Sequence, residues 1–210
     1  MMSDKAVMTQ MTNPFTRLLR KFVGNRRGVA AIEFAFIAPL LLTMYFVTME
    51  IAPAIDANKK VGRSASMIAD LVTQQQSISK TEVEAIMAIG EATLRPYNRT
   101  NLKVIITAIE ITDEEAPEVR VFWSRKMVGG VFSQDAAKGT VTEVPPALRI
   151  RNSFLVRVQS ELEYRPMITW TADQKATTGL LAAFDKINMK ETYYLRPRMS
   201  TSIDCPTCAS

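Results

Sequence analysis

Three rhythms of apolar and polar positions follow one another along the chain. From Val29 to Met49 there are 21 residues with one charge, Glu33. At about 1.5 Å per residue a helix of that length covers roughly 31 Å, close to the hydrocarbon thickness of a bilayer. Asp56-Ala57-Asn58-Lys59-Lys60 is polar, and then Val61, Ala65, Ile68, Leu71 and Val72 recur at spacings of three and four. That spacing continues the helix beyond the span until Gln74-Gln75-Gln76-Ser77 ends it. Pro39 and Pro53 each remove a backbone donor and are expected to kink it. Ser79-x-x-Glu82 is a capping box that opens a second helix through Leu94, before Pro96. Val83, Ile86, Met87 and Leu94 give this second helix one apolar face.

The rhythm then shortens to two. Leu102 to Thr112 is nearly all apolar and reads as a central strand. A turn at Asp113-Glu114-Glu115-Ala116-Pro117 leads into Val119 to Lys126, with Val121 and Trp123 expected on one face. Phe154 to Arg165 alternates most clearly, with Phe154, Val156, Val158, Leu162 and Tyr164 facing one way and Arg157, Gln159, Glu161 and Glu163 the other. A last strand is expected from Thr192 to Met199, broken by Pro197. Residues 127–152, with Gly129-Gly130 and Pro145-Pro146, read as a long loop. Two helices followed by hairpin-linked strands predict an α+β fold with a mostly antiparallel sheet packed on helix faces. The expected organisation is a leader at 1–28, a transmembrane helix at 29–52, a helical segment at 53–98 and a β-rich head at 99–210.

Charge changes the picture by where it sits. Of the 26 basic and 21 acidic residues, 6 and 1 fall in residues 1–28, leaving 20 and 20 in the remainder. The formal charge of +5 is therefore a property of the leader. A folded part with no net charge lacks the basic stripe of a nucleic-acid binder, so no nucleic-acid partner is expected. The leader's Phe15, Leu18, Leu19 and Phe22 allow an amphipathic surface helix, but a basic targeting segment held at the anionic cytoplasmic face accounts for them as well. With six positive charges before the span against Lys59, Lys60 and Arg63 after it, the N-terminus is expected to stay cytoplasmic and the head to be exported.

The span is not a conventional signal peptide: it is long, Pro39 lies inside it, and a glutamate sits near its start. A carboxylate within a membrane helix costs about 2–3 kcal/mol at the centre and less near the end, so Glu33 needs a neutralising partner. If the chain were cut between Gly28 and Val29, the new α-amino group would lie four residues before Glu33, on the same helix face. In an uncut chain Glu33 would be interfacial, paired with Arg26 or Arg27. The residues alone leave both open.

Arg26-Arg27-Gly28-Val29-Ala30-Ala31-Ile32-Glu33-Phe34-Ala35, followed by Ala38-Pro39-Leu40-Leu41-Leu42, resembles the processing site of type IV prepilins and, more closely, the TadE-like minor pseudopilins of the tight-adherence (Tad, Flp-type) pilus system. The resemblance covers about residues 26–56. It implies cleavage after Gly28 by a prepilin peptidase, with Gly28, Val29, Glu33 and Phe34 as the processing site. It also implies a place in the bacterial inner membrane, a pilin-like spine helix with a periplasmic head, and partners among other pilin or pseudopilin subunits and the assembly machinery. Glu33 would then be a subunit contact. The 28-residue leader is long for a prepilin, and no glycine occurs between residues 29 and 61.

Little catalytic chemistry is available. The chain has no histidine, which removes Ser-His, Cys-His and zinc-hydrolase arrangements. Ser77-Ile78-Ser79-Lys80 fits S-x-x-K but lacks the partner motifs of the serine-lysine enzymes, and a helix cap explains it. Asp113, Glu114, Glu115 and Glu118 match no calcium-loop spacing and read as a solvated turn. Gly129-Gly130 lacks a phosphate-loop context. Cys205-Pro206-Thr207-Cys208 is too sparse for a closed zinc site, and a local disulfide is the expected product in an oxidising compartment, with an intersubunit thiol role left open. No metal or cofactor is expected. The sequence thus predicts a non-enzymatic, single-pass assembly component. The rivals are an uncleaved membrane protein whose head is a binding module and, further off, an exported enzyme without histidine.

Overall fold

The computed structural model describes residues 28–97, 100–165 and 186–208. The leader, including its expected surface helix, lies outside the described residues. The chain divides into two compact units, Met1–Met49 and Glu50–Ser210.

The first unit holds the apolar part of helix α1, which as a whole runs Val29–Thr73. Gly28 stands one residue before it. Neither Pro39 nor Pro53 interrupts the helix. Thr43 and Thr48 turn their hydroxyls back onto the carbonyls of Pro39 and Met44, both at 2.8 Å, so these polar groups are satisfied within the helix. Large apolar side chains point outward throughout: Phe34, Phe36, Leu40 and Met44 are all about two-thirds exposed or more.

The second unit is an α+β head. It contains the rest of α1, then α2 (Lys80–Ala92), β1 (Lys103–Ile111), β2 (Val119–Val128), β3 (Val131–Ser133), β4 (Ser153–Tyr164) and β5 (Ile187–Leu195). The sheet is antiparallel in the order β3-β2-β1-β4-β5. Both helices lie on one face of it. From α1 the buried apolar side chains are Val61, Ala65, Ile68 and Val72 of the periodic set, joined by Ala57 and Ala69, while Leu71 is only half-buried. From α2 they are Val83 and Met87, with Ile86 at the margin. Small residues bring the helices close: Gly90 of α2 lies against Ile68 and Ser64 of α1, and the Ser64 hydroxyl donates to Gly90 O at 3.0 Å. The Ser79 side chain accepts from Glu82 N, and Glu82 returns the bond to Ser79 N. This capping box starts α2 where expected.

Three expectations need correction. Val121 and Trp123 do not share a face. The β1–β2 register shifts between Ala108 and Ile109, so Trp123 lies opposite Ala108 and Val121 opposite Ile109, with Phe122 as the extra residue. A bulge of one residue reverses side-chain parity, and period-two reading cannot see it. Trp123 thereby joins the main core under the helices, while Ile109 belongs to a second cluster with Ile111, Val119, Val144 and Leu155. The 127–152 segment is not simply a loop. Gly129 and Gly130, both at positive φ, turn the chain into β3, and residues 139–142 bond to the same edge of β2 through Val121 N to Thr140 O and Thr142 N to Val119 O. Last, β5 begins at Ile187 and ends at Leu195, before Pro197. Met189, Tyr193 and Leu195 provide its alternation, which Lys190-Glu191 obscures in the sequence.

Candidate functional site

The expected processing segment opens the described chain. Gly28 is exposed, and among the described residues no non-neighbouring atom lies within 4 Å of where a Cβ would stand, so on that side its backbone is open to approach. Val29 starts the helix, and Glu33 lies one turn on with Phe34 beside it. All three are exposed in the single chain. Among the described residues Glu33 forms no ion pair, so its carboxylate lies on an apolar helix surface without a neighbouring cation there. An apolar window of α1 with mean hydropathy 1.9 has none of its residues buried, as a lipid-facing helix requires and a core helix does not.

Just beyond the apolar run a compact polar corner forms on the head. Lys60 donates to Arg95 O at 2.8 Å, stands 3.8 Å from Asp56 and lies over the Tyr97 ring at 4.9 Å. A hydrogen bond with Asp56 raises the Tyr97 phenol above its ordinary pKa. Tyr97 in turn packs near Tyr164. Further along the sheet Lys103 and Lys190, from β1 and β5, both reach Glu161 on β4 at 2.8 Å. These bonds hold its carboxyl below the usual carboxylate range. Sequence reasoning assigned no role to these clusters because they join residues far apart in the chain.

At the other expected site, Cys205 and Cys208 are joined in a disulfide and both are buried. Their segment is a strap with three anchors. Ile203 O accepts from the Trp123 indole at 2.7 Å, Asp204 O accepts from Ile78 N at 2.9 Å, and the Thr207 hydroxyl accepts from Lys80 N at 2.9 Å. Ser77 and Lys80, the S-x-x-K residues, are thus part of the connection that receives the strap. Ser77 bridges to Asp204. The Asp113–Glu118 turn is solvent-exposed, and Glu118 pairs with Arg120. Among the described residues no group of three or more Cys, Asp or Glu converges as a metal site would require.

The comparison with known families falls on the first of these places. Residues 28–70 match the family model for TadE-like protein. The resemblance carried by Gly28, Glu33, Phe34 and the apolar run is borne out over that stretch, and the match opens on Gly28 itself. The match, over about a fifth of the chain, makes this segment similar to proteins of Tad pilus systems, and the apolar helix within it fits a single-pass membrane protein. The match spans the apolar part of α1 and the portion that packs into the head, and stops before α2 and the sheet. No curated protein and no solved structure matches the chain.

Proposed function

We propose that the protein is a minor pseudopilin of a Tad-type pilus: a single-pass subunit of the bacterial inner membrane with a cytoplasmic leader and a periplasmic head. In this reading a prepilin peptidase cuts it after Gly28, and it supports pilus assembly and the associated secretion or adherence without catalysing a reaction. The observation that carries the reading is the coincidence at Gly28. The family match, the exposed glycine and the start of an apolar helix with Glu33 one turn inside all meet there. A peptidase needs an open backbone next to a small residue, and a cut there would leave an α-amino group on the helix face that bears Glu33. Such an amine, from this subunit or a neighbour, would neutralise the carboxylate in lipid.

N-terminal sequencing of membrane-extracted protein, made in cells with a prepilin peptidase, tests it directly. The mature chain should begin at Val29 and Gly28→Leu should block the cut. A mature chain that still begins at Met1 would favour the uncleaved anchor. Cleavage separates from assembly at Glu33. Glu33→Gln should be inserted and cut normally but should lose crosslinks to other pilus components.

A further inference from the structure

The head carries balanced charge overall, yet Lys59, Lys60 and Arg63 of α1 and Arg95 stand close together around Asp56 and Tyr97. Arg165 and Lys186 are taken up by Glu163, and Asp70, Glu191 and Arg198 line the groove beside Arg63. Lys59, Arg63 and Arg95 are exposed and form no ion pair among the described residues. Lys59 and Arg63, one helical turn apart, also line an open groove of about 790 Å³ with Tyr193 and Glu191.

Position along α1 decides what such a cluster meets. Ile55 is the last exposed large apolar residue of the run. Lys59 follows it by about 6 Å and Arg63 by about 12 Å along the axis. The polar headgroup zone of one leaflet is roughly 5–8 Å deep. Helical Cβ atoms tilt toward the N-terminus, so a long Arg63 side chain reaches back toward that zone. Tyr97, which is half-buried, places one amphipathic ring at this corner and packs on the buried Tyr164 with centroids 6.3 Å apart.

We propose that this collar binds the anionic phosphate headgroups of the leaflet from which α1 emerges. The inference rests on the reading of residues 29–52 as a membrane span. The collar's excess of cations then faces lipid phosphate, and Lys60, already held by Asp56 and the Tyr97 ring, fixes the corner around which the free cations act.

The test uses the full chain in detergent micelles doped with phosphatidylglycerol or phosphatidylcholine, read by native mass spectrometry. Alkaline extraction of membranes comes first: release of the chain would overturn the membrane reading itself, whereas retention leaves the collar to be judged alone. Wild type should hold phosphatidylglycerol in preference to phosphatidylcholine. Each cation near an anionic surface is worth about fivefold at low salt, so Lys59→Gln/Arg63→Gln/Arg95→Gln should cut the preference at least tenfold. Arg149→Gln/Arg151→Gln removes two exposed charges near the opposite end of the sheet and should leave it unchanged. The leader is the same in every sample. Excess inorganic phosphate should not displace the lipid. Equal loss in both variants, no loss in the collar variant, or displacement by phosphate would each overturn the proposal.

Discussion

Arg125 is the residue on which the head's polar interior turns. It sits on the helix-facing side of β2 with its side chain 3% exposed, and its Nη2 donates to Glu84 of α2. Its Nε has no protein partner. Removing the carboxylate leaves a buried charge alone, which typically costs 3–5 kcal/mol, whereas replacing the cation by an apolar side chain of similar volume is often near neutral. Glu84→Ala should therefore lower unfolding stability by about 3 kcal/mol. Arg125→Met/Glu84→Met should recover most of it, measured by urea unfolding of the full chain in micelles. Glu161 gives a pH signature. Its carboxyl is held low by Lys103 and Lys190, so the stabilisation is present above the ordinary carboxylate pKa of about 4.3 and is lost as pH falls below it. Glu161→Gln should flatten the fall in urea midpoint between about pH 6 and about pH 3; an unchanged slope would remove Glu161 from the acid response. The two clusters also show the limit of reading residues singly. Glu161 was correctly placed on the polar side of its strand, but nothing local in the sequence names Lys103, 58 positions away, as its partner.

Among the elements, α1 and α2 were legible because a 3.6-residue period and a capping box are local signals. The central strands were legible from apolar runs. What escaped was set by pairing: the bulge at Phe122, the short β3, and the start of β5 among charged residues. Each depends on a neighbour strand that the local pattern does not specify. The α1–α2 contact offers a test of how tightly the elements fit. A Cβ at Gly90 would stand 2.3 Å from Ile68 Cδ1 and 2.9 Å from Ser64 Oγ. Alanine gains about 1 kcal/mol of helix propensity over glycine, but overpacking costs about 1–3 kcal/mol. Gly90→Ala should thus be neutral to destabilising by about 2 kcal/mol. Ile68→Val in the same chain removes Cδ1 but leaves Cγ1 and Ser64 Oγ each 2.9 Å from the new Cβ, so it should lessen the penalty of the alanine without abolishing it, a coupling that a double-mutant cycle in thermal unfolding would detect.

At the level of the whole molecule, the family match over residues 28–70 ends three residues before α1 does, so the sheet and strap lie outside the matched stretch. The stretch on which the family match opens was legible because its signal is written in consecutive residues. The strap was legible only as two cysteines, since its anchors at Trp123, Ile78 and Lys80 are distant in sequence. Closing so short a loop by a disulfide contributes about 2 kcal/mol. Cys205→Ser/Cys208→Ser should cost about that much and speed hydrogen exchange at the Ile78 and Lys80 amides, with β1 and β4 amides unaffected. Unchanged exchange at both amides would show that the strap holds without its bond. The strap also imposes an order in time. Residues 203–208 are synthesised after every element they touch, yet Ile203 is fully buried among them. Until residues 203–208 have been made, the connection from Ser77 to Lys80 and the Trp123 indole wait uncovered. The head therefore closes over Trp123 only once residues 203–208 have reached it, however early the sheet and helices form.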